Sequence, residues 1–288
     1  MEQELSNMPD RKASPGGETS GAGYLEVQQV GGRSVLTGCH AAAPLKLLTP
    51  RRRGGTAWVY QSSFGGGLVA GDTFRLYADL HEQTTTVLTT QAATKVFHQQ
   101  DGVGAEQNLQ ATVSNAATLI VAPDPLTCFA NAMYLQRQSF DLAPDASLVL
   151  LDWLTCGRVA RGERWSFDRY ESRNVIRIDG EEIVFDRLVL DASEESPSDA
   201  FAAGPFDVMA TLYLVGPAAQ SGCAAAQAWV AGLPPTTGRD FQVGYSPQPW
   251  GGVLRIMGCR TQRAIHIVKE RLAFLTPLLG TEVFGRRA

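Results

Sequence analysis

Three carboxylates and one lysine stand out by what surrounds them. Asp72 closes the run Phe64-Gly65-Gly66-Gly67-Leu68-Val69-Ala70-Gly71-Asp72, Asp152 directly follows the apolar run Leu148 to Leu151, and Glu163 sits among Arg158, Arg161 and Arg164. Lys95 ends the small, hydroxylated stretch Thr89-Thr90-Gln91-Ala92-Ala93-Thr94 in a chain whose only other lysines are Lys12, Lys46 and Lys269. Asp72, Asp152 and Glu163 offer the chemistry of a glycosidase, in which two carboxylates flank a sugar bond. A lysine becomes a base or Schiff-base former when desolvated beside a pocket; on a strand edge it is a solvated guard against edge pairing.

The glycine-rich run lacks the Gly-Lys-Ser/Thr ending of a phosphate loop and the G-x-G-x-x-G of a dinucleotide site. A strand follows Asp72, so no helix N-terminus is offered to an anion. Two readings stand: a tight turn or bulge with close backbone approach, or glycines that clear space around the Asp72 carboxylate. Asp152 is expected to be partly buried and therefore to need a partner, for which Arg158 or Arg161 is the candidate. His40, His81, His98 and His266 are isolated, and Cys39, Cys128, Cys156, Cys223 and Cys259 form no C-x-x-C pair. That excludes a disulfide framework and a metal cage built by local motif. Cys39 and His40 are neighbours, but neighbours on a strand point to opposite faces, giving a buried thiol beside a surface imidazole. No nucleophile elbow or triad motif supports an enzyme class.

The elements that must position these residues are mostly strands. In Phe74 to His81 the apolar residues alternate with polar ones, the period of a half-buried strand. Similar segments occur at Ala57 to Phe64, Thr85 to Thr90, Asn108 to Ser114, Thr118 to Ala122, Met133 to Leu142, Ser147 to Thr155, Asn174 to Ile178, Ile183 to Leu190, Phe206 to Val215 and Gly252 to Gly258. Their close spacing predicts a mainly β fold, an extended multi-stranded body of layered or helicoidal sheets. Asp179-Gly180 predicts a hairpin turn. Helical pattern is confined to the C-terminal part: one helix at Ser221 to Ala231, stopped by Pro234-Pro235, and an amphipathic segment at Thr261 to Leu279, broken near Pro277. Asp191 to Asp199 reads as an acidic surface loop. No repeat of fixed length is visible.

At 288 residues the chain has a prior of about two domains, but all-β folds often use this length as one. Residues 1–23 read as a disordered N-terminal tail without the apolar core of a signal peptide, and residues 24–288 as a single β-rich domain in a cytoplasmic protein. With 25 basic against 29 acidic residues, the balance argues against nucleic acid. No run of about eighteen apolar residues points to a membrane span.

At the three clusters the chain resembles the urease accessory proteins of the UreD family, called UreH in some bacteria. The resembling residues are Gly65-Gly66-Gly67-Leu68-Val69-x-Gly71-Asp72, Thr89-Thr90-Gln91-Ala92-Ala93-Thr94-Lys95-Val96-Phe97, Pro123-x-Pro125, Phe129-Ala130, Tyr134-x-Gln136, Asp152-Trp153 and Gly157-Arg158-x-Ala160-Arg161-Gly162-Glu163-x-Trp165. They occur in family order, and weaker similarity runs from about Tyr24 to about Gly280. The chain departs at Thr127-Cys128, where the family usually has a second proline. Cys128 then stands as a softer nickel ligand or as an inert packed cysteine.

The resemblance implies a non-catalytic scaffold of urease maturation, β-rich with late helices. It would bind apo-urease and the accessory protein UreF, which recruits the GTPase UreG, and its family is thought to carry an internal water-filled passage for nickel. Asp72, Asp152 and Glu163 would then line or support that route as weak oxygen ligands for transient Ni2+, with Lys95 as polar partner and no permanent cofactor. A conduit needs sites attractive enough to enter and weak enough to leave. The apolar stripe of Thr261 to Leu279 is expected to be either core or a partner surface for UreF. A β-rich carbohydrate-active enzyme using paired carboxylates is the alternative.

Overall fold

The structure, a computed structural model, describes residues 20–50, 54–199, 203–234 and 240–285. In chain order the strands are β1 (Ala22–Val30), β2 (Arg33–Ala41), β3 (Leu45–Leu48), β4 (Ala57–Ser63), β5 (Thr73–Leu80), β6 (Thr85–Thr90), β7 (Lys95–Val96), β8 (Ala105–Val113) and β9 (Thr118–Val121). There follow β10 (Leu126–Cys128), β11 (Met133–Leu142), β12 (Ser147–Thr155), β13 (Arg169–Ile178), β14 (Glu181–Asp191), β15 (Val208–Val215), β16 (Phe241–Gln248) and β17 (Gly251–Gly258). The helices are α1 (Gln220–Ala231), α2 (Thr261–Arg271) and α3 (Thr276–Leu279).

The strands form two sheets. One has the order β14-β13-β11-β8-β5-β1-β2; the other runs β16-β17-β15-β12-β9-β6-β4-β3, with β7 and β10 alongside. From β4 to β13 the chain alternates between the sheets, so β5, β8, β11 and β13 pair in parallel in one, and β4, β6, β9 and β12 in the other. Parallel neighbours need a long crossover, and here each crossover is itself a strand of the opposite sheet. The result is a solenoid-like β body. Its corner loops differ in length, which is why coiling leaves no fixed repeat in the sequence. The expected hairpin joins β13 to β14, with Asp179 and Gly180 at φ 52° and 80°, as a type I′ turn requires.

One apolar core lies between the sheets, built from residues such as Leu25, Leu76, Leu88, Leu119, Phe140, Leu148, Leu150 and Ile176. A second inter-sheet cluster, including Leu68, Phe74, Tyr134, Leu154, Trp165 and Tyr170, fills the other end. The third lies between the outer face of the larger sheet and the helices. There Ala264, Ile267, Val268, Leu272, Leu275 and Leu279 pack against Val149, Leu151, Trp153, Leu212 and Leu254. The helical stripe is therefore core, and its reading as an exposed partner surface is corrected. The break in this segment also falls earlier than expected. A 3-10 turn at Ala273–Leu275 separates α2 from α3, and Pro277 sits in the first turn of α3, where a missing N–H costs nothing.

Of the expected tail, residues 1–19 lie outside the described residues, as does Pro235 of the helix stop. Ala22 and Gly23 already belong to β1, which pairs with both β2 and β5. Cys39 is exposed rather than buried, because β2 is the edge of its sheet.

Candidate functional site

The period-two alternation that packs these strands is interrupted at one level. Along the inward face of β11, Tyr134 and Phe140 belong to the two inter-sheet cores, and between them stand Gln136 and Gln138. On β13 the pair Ser172 and Asn174 stands between Tyr170 and Ile176, and on β12 Asp152 stands between Leu150 and Leu154. A polar layer therefore crosses the interior of the body between two apolar blocks. Gln136, Gln138, Ser172 and Asn174 are all buried.

Asp152 is the carboxylate of this layer. Its Oδ1 accepts from Gln136 Nε2 at 3.0 Å; its Oδ2 accepts from Ser172 Oγ at 2.6 Å and Asn174 Nδ2 at 2.7 Å. All three donors are neutral. Arg158, the expected partner, instead binds Glu163 through Nε at 2.7 Å and through Nη2, because both belong to one loop beyond the end of β12. Among the described residues no Lys, Arg or His forms an ion pair with Asp152. The nearby tyrosines bring no charge, since burial pushes the Tyr134 and Tyr170 hydroxyls well up. A carboxylate stabilised only by dipoles in a low-dielectric layer attracts a cation.

Two cavities meet at Asp152. One, of about 180 Å³, extends from Asp152, Ser172 and Asn174 past Tyr213 to Asp186 and Arg255. The other, of about 40 Å³, runs between the sheets to Gln61, Thr89, Thr90, Thr94 and Asp124. The larger has mainly apolar walls with polar groups at Asp152, Ser172, Asn174, Asp186 and Arg255, the smaller has mixed walls, and both have room for water. At the outer end of the larger cavity Asp186 Oδ2 accepts from Tyr213 Oη and from Arg255 Nη2, each at 2.6 Å.

The other expected residues lie at the end of the body near the second inter-sheet core. Gly65 and Gly66 make the tight turn, and Gly67 lies so close to the Phe97 ring and the Lys95 carbonyl that an added Cβ would stand 2.4 and 2.8 Å from them. Asp72 fastens this loop, its Oδ2 accepting from the Val69 N–H at 2.9 Å. These contacts support the reading of a tight turn with close backbone approach. Lys95 lies on β7 with an exposed side chain, and its carbonyl accepts from the Leu68 N–H at 2.8 Å. Phe97 meets Phe129 edge to face at 5.2 Å, and the Arg158 guanidinium lies 3.9 Å over the Phe129 ring. Glu163, already paired with Arg158, also accepts from the Ala130 N–H at 3.2 Å.

Only Asp152 of the three carboxylates lines either cavity. A glycosidase pair drawn from Asp72, Asp152 and Glu163 therefore has no common cleft, and no group of three or more His, Cys, Asp or Glu that could hold a metal occurs among the described residues. Cys128 is buried in the second core, and burial pushes its thiol well above the usual range. That favours the packed reading, since the thiolate is the metal-binding form. Gln138, Ser172, Asn174, Asp186 and Arg255 were not among the expected residues. Their signal is a polar residue at an inward position of an otherwise apolar alternation.

Arg158 holds the Glu163 carboxyl below its usual value near 4.5. A depressed folded pKa contributes stability above the unfolded value, which is lost as pH falls through the folded one. Thermal melts of the chain and of Glu163→Gln should therefore differ at neutral pH and converge below pH about 4. A difference that persists unchanged at pH about 3 would remove the ion pair as its cause.

The family model described as UreD urease accessory protein matches residues 20–287. The chain is 41% identical over 270 residues to a urease accessory protein UreD of Sorangium cellulosum, covering 93% of this chain and 84% of that one. It is 38% identical over 270 residues to the urease accessory protein UreD of an Anaeromyxobacter species, covering 94% and 90%. With urease accessory protein D of Arabidopsis thaliana it shares 32% identity over 289 residues, covering 90% and 97%. No helix among the described residues is long and apolar enough to cross a membrane.

Proposed function

Because the chain belongs to the UreD family of urease accessory proteins, we propose that it acts in urease maturation as a non-catalytic scaffold that guides nickel into apo-urease. In this reading it binds the apo-urease on one side and UreF on the other, and UreF brings the GTPase UreG. Nickel is cargo, bound briefly and passed on. One observation carries the reading: Asp152, a carboxylate with only neutral donors, stands where two cavities meet inside the body. A single hard oxygen donor pair without imidazole or thiolate holds Ni(II) weakly, which suits transit.

The three carboxylates then take different parts. Asp152 lines the route. Asp72 holds the glycine turn at the end of the body and keeps one oxygen free of protein hydrogen bonds among the described residues. Glu163 supports that end by fixing Arg158 and Ala130, and Lys95 supplies positive charge beside it. Coexpression of this chain with UreF, UreG and apo-urease tests the proposal. A complex should be recovered, and urease purified from it should gain nickel and activity that are absent when this chain is omitted. Full nickel loading without the chain would overturn it.

A further inference from the structure

The larger cavity connects Asp152 to the surface between β14 and β17, and its outer end carries a guanidinium. Arg255 is half exposed on β17, with 53% of its side chain open to solvent, and it reaches Asp186 on the opposing sheet. Tyr213, buried in the cavity wall, donates to the same Asp186 oxygen. Two side chains from neighbouring strands of one sheet thus converge on one carboxylate oxygen of the other. A divalent cation entering this cavity meets the Arg255–Asp186 pair before it meets Asp152, and the carboxylate nearest the mouth is already neutralised. A neutralised carboxylate leaves the mouth without net attraction for a cation.

Accepting the nickel-route reading as its premise, we infer that Arg255 sets the access of divalent cations to Asp152 from this side. Paired with Asp186 it cancels the negative charge that would otherwise draw a cation to the mouth. Released from Asp186 it leaves a carboxylate that draws a cation in. Arg255 is therefore a specificity-determining residue of the route, acting by position and charge without ligating the metal. A partner that offers its own carboxylate to Arg255 would open the mouth by exchanging one ion pair for another.

The test follows Ni2+ binding to the full chain by stopped-flow quenching of its tryptophan fluorescence at low ionic strength. Arg255→Gln should raise the association rate about tenfold, and added salt should erase the gain. Arg255→Lys, which keeps the charge, should stay near the parent rate, and Asp186→Asn should slow it. Asp152→Asn should abolish the saturable phase in every background. If Asp152→Asn abolishes that phase while Arg255→Gln and Arg255→Lys both match the parent, the inference about Arg255 fails and the route stands. If the saturable phase survives Asp152→Asn, the route itself fails, and the inference with it. Arg255→Met serves as a second neutral variant if Arg255→Gln does not fold.

Discussion

Urease matured with the Asp152→Asn variant of this chain is expected to carry at least about tenfold less nickel and activity than urease matured with the parent, while recovery of the complex with UreF and apo-urease is unchanged. The size follows from removing a formal charge at the interior layer that has no ion-pair partner among the described residues; a differential interaction of about 1.4 kcal/mol is already tenfold. Asn is the informative replacement. Its shape matches that of Asp, and its amide oxygen can still accept from Ser172 or Asn174. Ala would leave the donors of Gln136, Ser172 and Asn174 without their acceptor, at about 1–3 kcal/mol for each buried group left unsatisfied. Nickel content by metal analysis of purified urease is the measurement. Normal loading through Asp152→Asn would show that the layer is structural.

The second large effect concerns the backbone. Gly157 stands at φ 112°, and a Cβ added there would lie 2.4 Å from the Glu163 carbonyl oxygen and 3.2 Å from that of Cys128. Neither obstacle is a flexible side-chain end. Gly157→Ala should therefore destabilise the chain by about 3 kcal/mol or more, combining left-handed strain with overlap. Its melting temperature should fall by roughly 6 °C or more. Because Gly157 carries the turn that brings Glu163 back against Ala130 and Arg158 against Phe129, the variant should also loosen the end formed with the glycine loop. Gly162, also at positive φ but with open space around it, is the control. Gly162→Ala should cost only about 1 kcal/mol. Equal losses at the two sites would remove the close approach as the cause.

Strand alternation is a local property, and it made Thr85–Thr90, Met133–Leu142 and Ser147–Thr155 legible to the residue. The parallel coiling was not legible. It depends on which sheet each strand joins, and alternation is the same in either. β16 escaped notice because its alternation is short: Phe241, Val243 and Tyr245 pack against the third cluster, but Pro247 and the edge position end the apolar pattern there. The partner of Asp152 was misassigned for a related reason. Arg158 is near in sequence, whereas Gln136, Ser172 and Asn174 come from neighbouring strands of the facing sheet. The motif residues at the glycine loop, Lys95 to Phe97, Phe129 and Gly157 to Glu163 stood out in the sequence, but only the structure brings them to one end of the body.

The alternating coils have a consequence for how such a chain can change over evolutionary time. Each coil contributes one strand to each sheet, and the registers of β8, β11 and β13 run without a slip. Lengthening a corner between strands leaves those registers intact, so loops facing outside proteins are free to grow, shrink or exchange. Losing one residue inside β11, β12 or β13 instead turns every later side chain of that strand to the opposite face. Asp152 or its donors would then point away from the interior. Insertions and deletions should thus be filtered by position, tolerated at corners and removed inside the strands that carry the polar layer.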